Sequence, residues 1–221
     1  MCNIIYVQYV HNCKPLTKKL WDKGLQLIPK EFHTSINKFR FWNDRQASLL
    51  GKLLLQKAFK NLSINKSLND IQYTKYNKPY IEDTISFNIS HSGEYVVCAY
   101  VKEKNALGID VEKINKEINI DDFSTVLNSS EKNNIVKSTS PFDEFYKIWT
   151  IKESVCKADG RGLNFPLQTI KIHSDCIHQE TKRWYYKNID IHNDYKCHLV
   201  TSEKDFTLDI SMLTNKELFE M

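Results

Sequence analysis

The chain has 221 residues, of which 26% are charged and 41% hydrophobic, and a formal net charge of +4. That is enough to bury a substantial core, as one domain or two small ones. No apolar run is long enough for a transmembrane span. The lysines are scattered among acidic residues, with no basic tract, zinc motif or nucleic-acid module, so neither a membrane nor a nucleic acid is expected as partner.

In chain order, the apolar start Met1-Cys-Asn-Ile-Ile-Tyr-Val-Gln-Tyr-Val10 lacks a basic leader and a small-residue cleavage site. It predicts a buried strand at 3–10, not a signal peptide. A helix is expected from about Leu16 to Ile28, capped by Thr17 or the residue before it. A longer one follows from about Asp44 to Phe59, with Ala47, Leu50, Leu54 and Ala58 at helical spacing, Leu49 and Leu53 widening the stripe, and Gly51 as a close-packing point. Strands near 71–75, 85–89, 94–101 and 107–112 carry the chain to a junction. Beyond it come a helix near 129–137 with Asn128-Ser-Ser-Glu131 as capping box, a helix over 143–158, and strands near 168–174, 182–187, 196–201 and 206–211. This order is α+β. Six cysteines, Cys2, Cys13, Cys98, Cys156, Cys176 and Cys197, show no Cys-x-x-Cys or metal spacing, which predicts reduced thiols in a cytoplasmic protein.

Three segments carry chemistry. Phe87-Asn-Ile-Ser90-His91-Ser92-Gly93 followed by Glu94 to Tyr100 predicts strand, a Ser-His-Ser-Gly turn, and a buried strand. There a hydroxyl and an imidazole that titrates near neutral pH can donate to an anion. Ala106-Leu-Gly-Ile-Asp110-Val-Glu112 alternates, sending Leu107, Ile109 and Val111 to one side and Asp110 and Glu112 to the other. Two carboxylates so close repel. The pair reads either as an exposed strand face or as hard oxygen ligands for Mg2+. In Trp149-Thr-Ile-Lys152-Glu153-Ser-Val-Cys-Lys157, Trp149, Glu153 and Lys157 share a helical stripe, with Lys152 beside it. Glu153 and Lys157 alone could be a solvated surface pair. The sequel, Ala158-Asp-Gly160-Arg-Gly162-Leu163, supplies two glycines where the helix stops and backbone can approach a ligand. The other histidines, His11, His33, His173, His178, His192 and His198, receive no role.

The segments Phe87 to Tyr100, Gly108 to Glu112 and Trp149 to Leu163 resemble the signature motifs of the 4'-phosphopantetheinyl transferases, and most closely the surfactin-synthetase-type group of single chains. The resemblance runs from the Arg40 region to about residue 175. It implies two similar α+β halves related by a pseudo-twofold axis, residues 1–106 and 107–221, with the site at their interface. It implies that Asp110, Glu112 and Glu153 hold Mg2+, or Mn2+, on the coenzyme A pyrophosphate. Lys157 would contact phosphate, Ser90 and His91 the coenzyme's phosphate groups, and Lys78-Pro79 the nucleotide end. Where the family often has an arginine before a Leu-Leu-Gly run, this chain has Ala47 before Ser48-Leu49-Leu50-Gly51. Arg45, Arg40 and Lys38 are left as unranked substitutes for the 3'-phosphate contact.

The implied reaction is attack by a serine of an apo acyl or peptidyl carrier protein on the coenzyme's β-phosphorus, releasing 3',5'-adenosine bisphosphate. Glu153, or a water that it or the metal activates, would take the serine proton, Lys157 would neutralise the leaving phosphate, and Lys152 would serve in proton transfer or substrate orientation. A monomer is expected. The polar segment from Lys113 to Pro141, with Ile118, Ile120, Phe123, Val126 and Leu127 exposed, is the expected carrier contact. Two rival readings are a non-catalytic binder of coenzyme A or nucleotide and a Mg2+-dependent phosphohydrolase.

Overall fold

The computed structural model describes residues 3–162 and 165–220. Cys2 and Leu163, both named above, lie outside them. The chain divides into two compact units. One takes the chain up to Tyr73, Pro79–Lys104, and everything from Phe206 onward; the other takes Thr74–Lys78 and Asn105–Asp205. This is not the single cut expected after residue 106.

The first unit contains β1 (Asn3–His11), α1 (Lys18–Leu27), α2 (Glu31–Asn37), α3 (Trp42–Asn61), the short pair β2 (Gln72–Tyr73) and β3 (Pro79–Tyr80), β4 (Ile85–Ser92) and β5 (Tyr95–Lys102). Its main sheet has four strands. β1 pairs antiparallel with β5, and β5 with β4. The fourth, at the far edge, is the chain's last strand (Phe206–Met212), which pairs parallel to β1. That strand was expected in the second half. Parallel neighbours need a long crossover, and here almost two hundred residues separate them, so local sequence holds no record of the pairing.

The leucine stripe of α3 is core as expected. Leu49, Leu50, Leu53 and Leu54 are fully buried in one cluster with Val96, Cys98 and Tyr100 of β5. Each such side chain contributes about 1.5–3 kcal/mol of burial. Asn61 donates to the Tyr100 hydroxyl at 2.8 Å, satisfying the one polar atom that ring brings inside. Helix α2 was not anticipated, since seven residues are too few to show a helical period. The expected Ser-His-Ser-Gly turn is corrected. Ser90, His91 and Ser92 stay in β4, paired with Val97, Val96 and Tyr95, and the chain reverses one step later at Gly93, whose φ of +53° is the glycine-favouring conformation.

The second unit contains β6 (Leu107–Lys113), α4 (Ser129–Lys137), α5 (Pro141–Asp159), β7 (Lys171–Ile172), β8 (Ile177–Gln179), β9 (Lys182–Asn188) and β10 (Tyr195–Thr201). Phe206–Met212 is β11, and α6 (Asn215–Phe219) follows it in the first unit. The strands form one sheet in the order β6-β10-β9-β8-β7. The expected strand over 168–174 is only β7, preceded by a 3-10 turn at Leu167–Thr169. The capping box at Asn128 and Glu131 is formed. Val126 and Leu127 are buried, and Ile118, Ile120 and Phe123 pack against the cluster of Phe145, Tyr146 and Ile148. The segment therefore spends on its own core most of the apolar surface that was expected to be exposed.

Helix α5 lies across β6 and β10 at very short range. A Cβ on Gly108 of β6 would stand 2.0 Å from the Ser154 carbonyl oxygen and 2.6 Å from the Ala158 nitrogen. Strand and helix thus touch backbone to backbone, which only glycine permits. Replacing Gly108 by alanine is predicted to lower the thermal midpoint by about 2–12 °C, since overpacking typically costs ~1–3 kcal/mol and a domain of this size shifts about 2–4 °C per kcal/mol. An unchanged midpoint in a melting experiment would show that the crossing carries no weight.

Candidate active site

Alternation along β6 places Gly108, Asp110 and Glu112 on one face. Because Gly108 meets α5, that face is the one the helix covers. The sheet register sets His198 of β10 directly opposite Asp110, and Lys196 opposite Glu112. Asp110 is only 3% exposed, so of the two readings of the pair, the exposed strand face does not hold for it. Its Oδ1 lies 2.7 Å from Lys157 Nζ in the last turn of α5.

Glu153 stands one turn before Lys157 on the same helix. Burial raises its proton affinity, and the charges of Asp110 and Glu112 raise it further, against the pull of Lys157. Three carboxylates therefore feel one another across β6 and α5. Spacing paired Asp110 with Glu112 and Glu153 with Lys157, and it was the family resemblance that implied the two pairs meet. Among the described residues, no three His, Cys, Asp or Glu side chains are gathered tightly enough to form a ready metal cage.

Lys152 points elsewhere. It is fully buried, with Nζ 2.6 Å from Glu131 Oε2 and 2.8 Å from the Val126 carbonyl. Burial lowers its affinity for a proton and the Glu131 contact opposes this. The ammonium is enclosed between α5 and the start of α4, a setting for holding structure and not for meeting a substrate.

The end of α5 is pinned by charges. Lys78 Nζ donates to the Ala158 carbonyl at 2.8 Å and reaches the Leu107 carbonyl at 3.5 Å, the position where a cation complements the helix dipole. Burial pushes its amine down to about 8, with Asp159 and Cys156 opposing. Its stem lies over Gly160, whose φ is +88° and where a Cβ would come within 2.8 Å of Lys78 Cδ. Asp159 accepts from Arg161 and from Lys182 Nζ at 2.7 Å. Burial alone would raise its pKa, but those two hydrogen bonds hold it below the usual range.

Of the other residues singled out by sequence, Pro79 begins β3 and Ser90 is buried in β4, while His91 beside it is exposed. Arg45 sits half-buried in the first turns of α3, and Lys38 and Arg40 are exposed on the approach to that helix. All six belong to the first unit, whereas Lys78, Asp110, Glu112, Lys152, Glu153 and Lys157 belong to the second.

His198 was missed. Its Nδ1 lies 2.7 Å from Thr150 Oγ1, and the Thr150 hydroxyl donates to the Tyr146 carbonyl at 2.7 Å. Ser154 Oγ donates to the His198 carbonyl at 2.7 Å. Burial, aided by Lys147 and Lys196, pushes the imidazole down to about 3. The only sequence signal for it is the i, i+4 pair Thr150 and Ser154 on an otherwise apolar helix face.

Two family models match the chain in succession. Residues 12–103 match the N-terminal part of 4'-phosphopantetheinyl transferase, and residues 106–210 match the 4'-phosphopantetheinyl transferase superfamily. The 4'-phosphopantetheinyl transferase gsp of Aneurinibacillus migulanus is 31% identical over 203 residues, covering 86% of this chain and 84% of that protein. The chain belongs to the 4'-phosphopantetheinyl transferase superfamily. A second relative, the 4'-phosphopantetheinyl transferase Sfp of Bacillus subtilis (strain 168), is 29% identical over 219 residues, covering 93% of this chain and 96% of that protein. The crystal structure of Thermotoga maritima holo-[acyl-carrier-protein] synthase (AcpS) aligns with 44% of this chain and 63% of its own, at 18% identity and a TM-score of 0.34; a likeness that slight adds nothing to the assignment. The α+β architecture and the enzyme class inferred from the sequence motifs both agree with this membership.

Two outcomes follow for the transferase. Lys152→Met leaves Glu131 buried beside an apolar chain and is predicted to cost ~3–5 kcal/mol, while the double variant with Glu131→Gln regains a large part of it; equal losses in urea unfolding of the two would contradict the pairing. His198 binds no proton in the folded state until about pH 3, whereas unfolded histidine does so near its ordinary 6.5. The unfolded state therefore holds more protons between those values, and stability declines as pH falls through them. Parent and His198→Gln compared by unfolding at pH 7 and pH 5 should show the larger loss in the parent.

Proposed function

We propose that this transferase moves the 4'-phosphopantetheine arm of coenzyme A onto a serine of an apo carrier protein, with Mg2+ or Mn2+, releasing 3',5'-adenosine bisphosphate. The observation that carries the reading is the grouping of Asp110, Glu153 and Lys157 on one face of β6 and α5, in a chain of this family. The donor set suits a hard divalent cation. Asp110, Glu112 and Glu153 offer oxygen ligands, and the charges of the first two raise the proton affinity of Glu153, a mutual repulsion that a cation bound among them would relieve. When bound through these three carboxylates, the metal supplies charge neutralisation at the pyrophosphate oxygens.

The chain's own residues do the rest. Phosphoryl transfer depends on positioning and electrostatics. Lys157 meets the charge that builds on the leaving 5'-phosphate oxygen as its bond to the β-phosphorus breaks. The Glu153 carboxylate, or a water that it activates, takes the proton from the serine Oγ as that oxygen bonds to the phosphorus. Lys152 is given a positioning role, fixing α5 against Glu131 and Val126. Ser90, His91, Arg45 and Lys78-Pro79 are retained as contacts to the coenzyme on the strength of the family motifs.

The acceptor is an acyl or peptidyl carrier protein. A mildly basic chain (net +4) suits an acidic partner, because opposite charge speeds encounter. No described helix is long and apolar enough to cross a membrane, and the five described cysteines are free thiols, which supports a reducing, cytoplasmic setting. A monomer is the working form, since both family segments lie in one chain.

Glu153→Gln is predicted to slow transfer by at least about a hundredfold, the low end for loss of general base catalysis, while the melting curve stays that of the parent. The rate is read from release of 3',5'-adenosine bisphosphate with and without carrier protein. Near-parental turnover would remove Glu153 from the chemistry, and release without any carrier would favour hydrolysis.

A further inference from the structure

Gln56, in the second half of α3, carries a polar atom that the first unit leaves unanswered. Its Nε2 donates at 2.7 Å to the carbonyl of Leu27, the last residue of α1, and because a carbonyl accepts only from a donor, that bond fixes which way the amide points. Oε1 therefore faces away from it; this atom is buried and has no hydrogen-bond partner among the described residues. A buried acceptor left so is costly and calls for a donor. Gln56 lines a cavity of about 330 Å³ with Leu27, Phe59, Lys60, Ile64 and Lys66.

This is not the gap of a frayed helix end. Beyond α3, Ser63 takes the left-handed conformation (φ +52°), its N–H returns to the Lys60 carbonyl at 3.0 Å, and the Ile64 N–H returns to the Phe59 carbonyl at 2.8 Å. That pattern takes up the last helix carbonyls. What stays open is chemically mixed. Leu27, Phe59 and Ile64 belong to or pack on the main core and give an apolar floor. Gln56 and Lys60, one turn apart on α3, share a helix face, so a lysine borders the cavity beside the orphaned acceptor. Lys66 adds a second cation, engaged only by a 3.7 Å surface contact with Asp70, a pairing of little worth.

We propose that this cavity binds a small carboxylate that carries an apolar body and an N–H donor, the chemistry of an N-acylated apolar amino acid. The body rests on Leu27, Phe59 and Ile64, the N–H donates to Gln56 Oε1, and the carboxylate meets Lys60 and Lys66. Small-molecule sites begin at about 300 Å³, so the cavity suits a ligand of amino-acid size and not a whole coenzyme. The site is independent of the proposed reaction, since its residues lie in the first unit while Asp110, Glu112, Glu153 and Lys157 lie in the second.

The experiment follows the Gln56 side-chain amide by heteronuclear NMR in the full-length protein as N-acetyl-L-leucine is added, beside isocaproate, which keeps the carboxylate and the apolar body but has no N–H, and inorganic phosphate. N-acetyl-L-leucine should shift the Gln56 signal saturably. Isocaproate should bind about tenfold more weakly, the scale of one hydrogen bond. The double variant Lys60→Met, Lys66→Met changes only exposed residues, keeps the fold, and should also lose about tenfold in affinity for N-acetyl-L-leucine. The absence of a saturable shift, equal affinity for the two carboxylates, or unchanged affinity in the double variant would each overturn the proposal. So would phosphate binding as tightly as N-acetyl-L-leucine, because the lysines would then be acting as a plain anion patch.

Discussion

The second unit depends on the absence of one side chain. With nothing but hydrogen on the Gly108 Cα, α5 can rest its backbone on β6, and a Cβ there would sit 2.0 Å from a helix carbonyl. Strand alternation and helix period then act together. Two residues on from Gly108, Asp110 faces the helix at the height where Lys157 can reach it, and Glu153 comes one turn behind. A bulkier residue would separate strand from helix by a side-chain layer, and a lysine could no longer meet a strand carboxylate at 2.7 Å.

Contact this close needs the helix to sit in one rotational setting, and its inward polar residues supply that. An apolar face can slide, whereas hydrogen bonds hold only in register. Thr150 and Ser154 bond the ring and carbonyl of His198, and Lys152 bonds Glu131 and Val126. Asp159 closes the far end with Arg161 and Lys182. Each buried polar group would be expensive if left unpaired, so the partnered arrangement is favoured over any rotated one. The rotation so chosen is the one that presents Glu153 and Lys157 to Asp110.

Much of this was legible in the sequence, and the rest was not for identifiable reasons. Alternation gave the face shared by Asp110 and Glu112, helical spacing gave the stripe of Glu153 and Lys157, and Gly160 announced the helix end. The same alternation left exposure open, since it tells which residues share a face but not what covers it; Asp110 lies under α5. Lys152 is adjacent to Glu153 in sequence, but a helix turns neighbours through about 100°, and its partner Glu131 is twenty-one residues away. His198 faces Asp110 only through a strand register that no local pattern encodes. The pairing of Phe206–Met212 with β1 is the longest such case, joining the two ends of the chain in one sheet.

The proposed function requires that the carboxylates of β6 and α5, together with Lys157, make a metal-dependent centre for passing a phosphopantetheine arm to a protein serine. Intact-mass measurement of a purified apo carrier protein, after incubation with this protein, coenzyme A and Mg2+, tests it most directly. The account predicts that the carrier gains one phosphopantetheine arm and that a chelator abolishes the gain. An arm transferred equally well under chelation, or none transferred to any of several carrier types by a protein that still binds coenzyme A, would contradict it.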